Sequence, residues 1–427
     1  MGGPGQGQGQ GEPGPEAEAP APGGGLAVPA LAGLVAGVYE RSVLGFDLAG
    51  AAAAGGEGAG EGGGAPLRRA WAAPAHRAPV RCLAAGGSLV ASGGDDDLVR
   101  LFDVAQRKDV GTLTEAGGGL NDLCFHVPRG RAEPTHLLGA GQDGVVNVWG
   151  TKNELRHLLE LRGHQGPCAG VTVHESGLVG LSVGRDRTLV MWDLAKGRAS
   201  YRKKLAAAAE GVRFARAGDL FFLRYPTHAA VHLAEDDRRS FALPHPARLL
   251  CLAQASRGAV VTGAEDAGLR VWDLAGRRVV AEVPRAHARR IKGVAVPASG
   301  GGEEGGRHGL PRLLASASSD GAVKVWDTRR LGAGAGPLYE AAARARITCL
   351  CATHPHAPAG AAPALAFDPP AATAAPAAPA ERKAGAGAMA GTAEARREAR
   401  PGKKKKAKKP LGKAQKKRLL KDLGRFD

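Results

Sequence analysis

Five segments of this 427-residue chain repeat one template, and that template decides most of what the chain can fold into. Each opens on a small residue, carries Asp four positions later and an aromatic six after that. The segments run from Ser92 to Phe102-Asp103, Gly139 to Trp149-Gly150, Ser182 to Trp192-Asp193, Thr262 to Trp272-Asp273 and Ser316 to Trp326-Asp327. Their Asp residues are Asp96, Asp143, Asp186, Asp266 and Asp320, so the intervals are 47, 43, 80 and 54 residues. A period of about 40–45 residues with Trp-Asp endings marks the blades of a β-propeller, each a small four-stranded sheet. The double interval predicts a degenerate blade over residues 211–234. Gly211–Phe214, Leu220–Leu223 and Ala229–Leu233 read as its strands, with the signature Asp missing. The interval of 54 holds a Gly/Glu insertion at Ser299–Pro311 that reads as a loop.

Six repeats are then complete, and a seventh is split between the ends. Ala36, Glu40 and Phe46-Asp47 fit the template in register, while Arg346–Cys351 resembles the opening strand at Val80–Leu83. Joining these ends in one sheet leaves no open edge. The expectation is an all-β, seven-bladed propeller over 33–352. Six blades, with 33–48 as an external strand, is the alternative.

Composition sets the limits of that domain. The chain holds 65 Gly, 28 Pro and only 4% aromatic residues. Residues 1–32, an insertion at 49–66 and a linker at 353–402 are poor in apolar side chains, so disorder is expected there. The formal charge is +17, yet residues 396–427 alone carry fifteen Lys/Arg against three Asp/Glu, leaving about +5 for the rest. The basic tail proper is 403–427. Lys403, Lys404, Lys405, Lys406, Lys408 and Lys409 form one cluster, and Lys413, Lys416, Lys417 and Arg418 a second. This is the spacing of a nuclear or nucleolar import signal, and the same cations could neutralise RNA phosphates without reading bases. Leu419, Leu420 and Leu423 would share one face of a short helix.

No run of 18 apolar residues suggests a membrane span, and the N-terminus lacks a secretory pattern. Cys82, Cys124, Cys168, Cys251, Cys349 and Cys351 form no metal-binding spacing. Four of them, Cys82, Cys124, Cys251 and Cys349, fall in apolar runs and read as buried free thiols of an intracellular protein.

The template also implies a side-chain network. A histidine ahead of the blade can bond both the Ser and the turn Asp, with the Trp N–H closing the set. His164, Ser182, Asp186 and Trp192 form one complete set; His287, Ser316, Asp320 and Trp326 form another. His76, Ser92 and Asp96 are joined by Phe102, which donates nothing. Asp143 with Trp149, and Thr262 with Asp266 and Trp272, are partial sets. These look like catalytic triads, but a triad that recurs once per blade is scaffolding. No enzyme, metal, cofactor or small-molecule substrate is expected. Arg185, Arg187 and Arg270, in or beside the turns, are candidate basic residues of a binding face.

Several stretches point further. Leu34–Glu40 followed by Leu44–Asp47, Leu181–Asp186 with Trp192–Ala199, Gly263–Asp266, Ala286-His287 with Arg290–Lys292, and Ala315–Gly321 resemble the p21-activated-kinase-interacting family of WD-repeat proteins. The resemblance covers about residues 33–352 and ends in a Lys-rich tail, as the family does; the second stretch is the most specific. The insertion at 49–66 and the long Gly/Pro N-terminus depart from the family and read as added disorder. The resemblance implies a scaffold for large-ribosomal-subunit assembly in the nucleolus, partnered by pre-ribosomal proteins and ribosomal RNA. It also implies restraint of p21-activated kinase. A different class is suggested by Trp326–Arg329, which matches the ending used by substrate receptors of cullin-RING ubiquitin ligases.

Overall fold

The computed structural model describes residues 33–353 apart from 49–64, 115–116, 152–154, 235–238, 298–309 and 333. Its strands form seven separate sheets, one per blade. Blade 1 begins with the inner strand Val80–Gly86, blade 2 with Leu120–His126 and blade 3 with Cys168–Val173. Blade 4, the degenerate one, begins with Gly211–Phe214. Its remaining strands are Leu220–Arg224, His228–Leu233 and Phe241–Pro244. Blades 5 and 6 begin with Leu249–Ser256 and Ile291–Ala295. Each of these sheets runs outward through four strands in chain order by antiparallel pairing.

Blade 7 closes the ring from both ends of the propeller. Its inner strand, Ile347–Thr353, pairs antiparallel with Gly33–Val38, which pairs with Ser42–Asp47 and then Arg68–Pro74. The split blade therefore exists as the template predicts, and the count is seven. Every residue of Gly33–Val38 is buried. At Gly37 an added Cβ would stand 2.6 Å from Val80 Cγ1 and 2.7 Å from Cys349 Sγ, so glycine lets the closing strand seat against blade 1.

Packing follows the strand order. Second strands such as Ala259–Ala264 are buried throughout, whereas outer strands such as Arg198–Lys204 alternate towards solvent. The apolar core divides into seven clusters, each between neighbouring blades. The template aromatic always faces the preceding blade. Trp149 packs with Leu101 of blade 1, Trp192 with Val148 of blade 2, Trp272 with Val231 of blade 4, and Trp326 with Val271 of blade 5. Phe46 and Phe102 do the same at the closure, against Val325 and Val43.

The template Asp has a local cause. Its carboxylate accepts the N–H two residues on: Asp143 from Val145, Asp186 from Thr188, Asp266 from Gly268 and Asp320 from Ala322, at 2.8–3.1 Å. The residue between is left-handed in each case, with φ from 60 to 90°. Asp tolerates and caps such a turn.

The insertion ends in structure. Ala65–Pro66 pairs in parallel with Tyr339–Glu340, adding a fifth strand to blade 6 and covering its outer edge. The N-terminal 1–32, residues 49–64 of the insertion, the linker beyond Thr353 and the basic tail lie outside the described residues, as do all ten Lys and Arg of the two tail clusters; Thr353 itself ends the inner strand of blade 7.

Candidate functional site

The histidine loop that enters a blade and the turn that carries its Asp meet at one end of the ring, here the upper face. Blade 3 has the complete network. His164 Nδ1 reaches Asp186 at 3.2 Å and Thr188 Oγ1 at 2.9 Å, and its Nε2 lies 2.8 Å from Ser182 Oγ. Trp192 Nε1 donates to the same hydroxyl at 2.8 Å. An ionised Asp186 only accepts, so the imidazole proton sits on Nδ1. The relay then runs from the indole N–H to the Ser hydroxyl to Nε2. Burial depresses the His164 pKa despite the nearby Asp186, so the ring is neutral at pH 7.

The other blades vary this theme. In blade 1, His76 lies 2.8 Å from both Asp96 and Ser92, and Phe102 adds no bond. Burial works against the Asp96 charge, but the N–H of Arg77 and the His76 ring outweigh it and hold its pKa low. In blade 6, His287 Nε2 and Trp326 Nε1 meet Ser316 Oγ at 2.7 and 2.8 Å. That set is not complete as expected: His287 Nδ1 stands 3.9 Å from Asp320 and has no hydrogen-bond partner. Asp320 is taken by the N–H groups of Ala288 and Ala322. In blade 2, Gly139 offers no hydroxyl, and the buried Trp149 Nε1 is unpaired.

Blade 5 holds a histidine that the Gly-His and Ala-His pattern misses. Trp272 Nε1 donates to Thr262 at 3.0 Å, and His245 stands 5.3 Å from the indole with both ring nitrogens unpaired. Burial, and then the charge of Arg270, push the His245 pKa down to about 4. His245 lies 17 residues before Thr262, near the 18 that separate His164 from Ser182. That spacing was the usable signal.

Ser92, Ser182 and Ser316 are fully buried. A hydroxyl sealed inside a sheet cannot attack a substrate, so none of these triads can present a nucleophile.

Of the three proposed face arginines, Arg185 and Arg187 are exposed in the blade 3 turn. Arg270 is not. It is buried, bonded to Asp266 at 2.7 Å and Glu282 at 2.8 Å, because its strand register sets Glu282 directly opposite. Arg329 of the Trp326–Arg329 ending is clasped by Asp327 at 2.6 Å. All six thiols are free and lie in inner strands. Burial raises the pKa of each, Cys251 to about 12 and Cys349 to about 11, so they stay protonated.

A cross-blade ion pair had no counterpart in the template reading. Asp122, on the inner strand of blade 2, receives both guanidinium nitrogens of Arg213 on blade 4 at 2.5 and 2.6 Å. It also accepts the N–H of Val171 on blade 3. The trace in the sequence is an acid and a base that each interrupt an apolar inner strand.

Among the described residues, no helix is long and apolar enough to cross a membrane. The WD domain, G-beta repeat family matches residues 70–103 and 285–327. A p21-activated protein kinase-interacting protein 1-like chain of Danio rerio is 27% identical over 329 residues, covering 75% of this chain and 80% of that one. Its Xenopus laevis counterpart is 28% identical over 284 residues, covering 66% and 73%. The ribosome biogenesis protein WDR12 homolog of Chlamydomonas reinhardtii is 28% identical over 298 residues, covering 58% and 64%. By fold and by repeat the chain is a WD-repeat β-propeller, similar in sequence to the p21-activated protein kinase-interacting proteins.

Proposed function

We propose that this protein is a non-catalytic scaffold for assembly of the large ribosomal subunit in the nucleolus, and that it also restrains p21-activated kinase. One observation carries the reading: relatives named for kinase interaction and for ribosome biogenesis each match more than half of the chain. The geometry agrees, since the triad-like residues are consumed inside the blades and leave the upper face free to bind. The basic tail supplies import and contact with ribosomal RNA phosphates.

The test is affinity purification of the tagged full-length chain, followed by gradient sedimentation and RNA probing. Co-migration with large-subunit precursors is expected. Migration only with free protein, and recovery of no precursor RNA, would overturn the assembly role. For the kinase, the purified chain should lower phosphorylation by activated p21-activated kinase; undiminished phosphorylation at saturating protein removes that part.

A further inference from the structure

Six of the seven inner strands carry a β-bulge at the same place, one residue in from the upper face. The extra residues are Arg81, Asn121, Ala169, Leu250, Lys292 and Thr348. Bulges re-aim side chains, and these six ring the upper mouth of the central channel. Four of them are polar, and three of those are satisfied within the molecule. Arg81 pairs with Asp95, Asn121 donates to the Cys168 carbonyl and Thr348 donates to the Gly37 carbonyl. Lys292 makes no ion pair among the described residues, although it is half-buried.

Its surroundings sharpen the point. Burial first, and then the charges of Arg290, Arg346 and Arg224, lower the Lys292 pKa. The nearby carboxylates are engaged elsewhere. Glu210 holds Arg224 and Arg248, Glu265 reaches Arg290 at 3.8 Å, and Glu40 accepts the backbone N–H of Arg346 at 3.1 Å. The Arg346 guanidinium itself rests over the exposed Tyr39 ring at 5.4 Å. A recessed ammonium among cations, with no counter-ion of its own, is a seat for an external anion.

Across Arg346, whose neighbour Ala345 lines it, a groove of about 340 Å³ opens between blades 6 and 7. Val38, Leu44 and Ala73 give it apolar walls, and its charged lining residues are Arg69 and Arg344 against the single carboxylate of Glu40. Apolar walls suit amino-acid side chains. A recessed lysine suits a carboxylate carried on a flexible stem rather than a phosphodiester backbone, which exposed cations bind.

We propose that the upper mouth at blades 5 to 7 binds an acidic peptide segment of a partner protein, one carboxylate of which pairs with Lys292 while its neighbours lie along the groove. This rests on the scaffold reading and names the kind of partner the scaffold holds.

The probe is a twelve-residue peptide alternating Glu with Leu or Ala, added to the full-length chain. Amine acylation read by mass spectrometry gives one measurement, with Lys196 at the opposite end of the blades as the internal control. Saturating peptide should cut labelling of Lys292 at least fivefold and leave Lys196 unchanged. In fluorescence anisotropy, Lys292→Met should weaken binding about tenfold and Lys292→Arg should retain it. The basic tail contributes the same background to every variant, and thermal melts show that each variant is folded. Equal labelling with and without peptide, or unaltered binding by folded Lys292→Met, overturns the proposal. So does protection of Lys292 by a twelve-nucleotide single-stranded RNA but not by the peptide. Sedimentation separates the two readings: failure of peptide binding with intact precursor co-migration removes only this site, and the reverse removes only the assembly role.

Discussion

Replacing Ser182 with alanine deletes one oxygen at the centre of the blade 3 relay. Two buried groups lose their partner: the indole N–H of Trp192 and Nε2 of His164, each now 2.8 Å from the hydroxyl. Trp192 is 1% exposed, so water cannot take over that bond without opening the interface with blade 2. Each orphaned polar group costs about 1–3 kcal/mol, giving about 2–6 kcal/mol for Ser182→Ala. Ser316→Ala should behave alike, because Trp326 and His287 share that hydroxyl. Ser92→Ala strands only His76, and Thr262→Val strands the Trp272 N–H and gives up a long 3.4 Å bond to the Arg270 carbonyl, so each should lose about 1–3 kcal/mol. Urea unfolding followed by circular dichroism reads the series at one temperature. The ranking is the test: two-partner sites must fall below one-partner sites. A Ser182→Ala protein within about 0.5 kcal/mol of wild type, or one no weaker than Ser92→Ala, would refute the hydroxyl as the shared partner of Trp192 and His164.

Other outcomes follow from the same structure. A chain ending before Arg346 loses the inner strand of blade 7 and should melt well below the full chain; an unchanged melt would mean the ring does not close there. Deleting 403–421 should leave the melt unchanged and abolish nucleolar accumulation, which imaging of the tagged deletion checks. Asp122→Asn breaks a bidentate pair between blades 2 and 4 whose arginine is partly exposed, so it should cost about 1–3 kcal/mol, measured by the same urea titration. His126, His245 and His287 have folded pKa values lowered to about 4, each chiefly by burial, against about 6.5 unfolded. The unfolded chain therefore binds more protons in that window. Stability should be full above pH 6.5 and decline as pH falls towards 4. His245→Phe keeps the ring against Trp272 and should flatten the decline; an identical pH profile would count against its burial as a neutral imidazole.

The ring and its closure were legible because both depend on local chemistry that recurs from blade to blade. An Asp that caps a left-handed turn and an aromatic ten residues after a small residue leave a period that survives divergence. Even blade 4 could be placed by interval and strand pattern without its Asp. Cross-blade features were not legible. Arg270 reads as a surface cation beside a turn, but only the register of Leu269–Asp273 against Arg278–Val283 reveals that Glu282 covers it. Asp122 meets Arg213 across 91 residues because ring curvature brings blades 2 and 4 together. His245 follows proline rather than glycine or alanine, so a pattern drawn from dipeptides passed over it. The bulge at Lys292 adds one residue to a strand, and sequence alone cannot distinguish that from regular alternation.

Closure also sets a timetable. Gly33–Val38 leaves the ribosome before every other described strand of the propeller, but its inner-strand partner ends 320 residues later at Thr353. At about 5–20 residues per second, the gap is roughly 15–60 s. Through that interval the hairpin of Gly33–Asp47 has a buried-type apolar strand and an unpaired edge with nothing to cover them. Six blades can form in order behind it while the seventh waits. The nascent chain is thus an open arc with one adhesive end, and whatever shields Gly33–Val38 until synthesis is complete decides whether the arc closes on itself or on a neighbour.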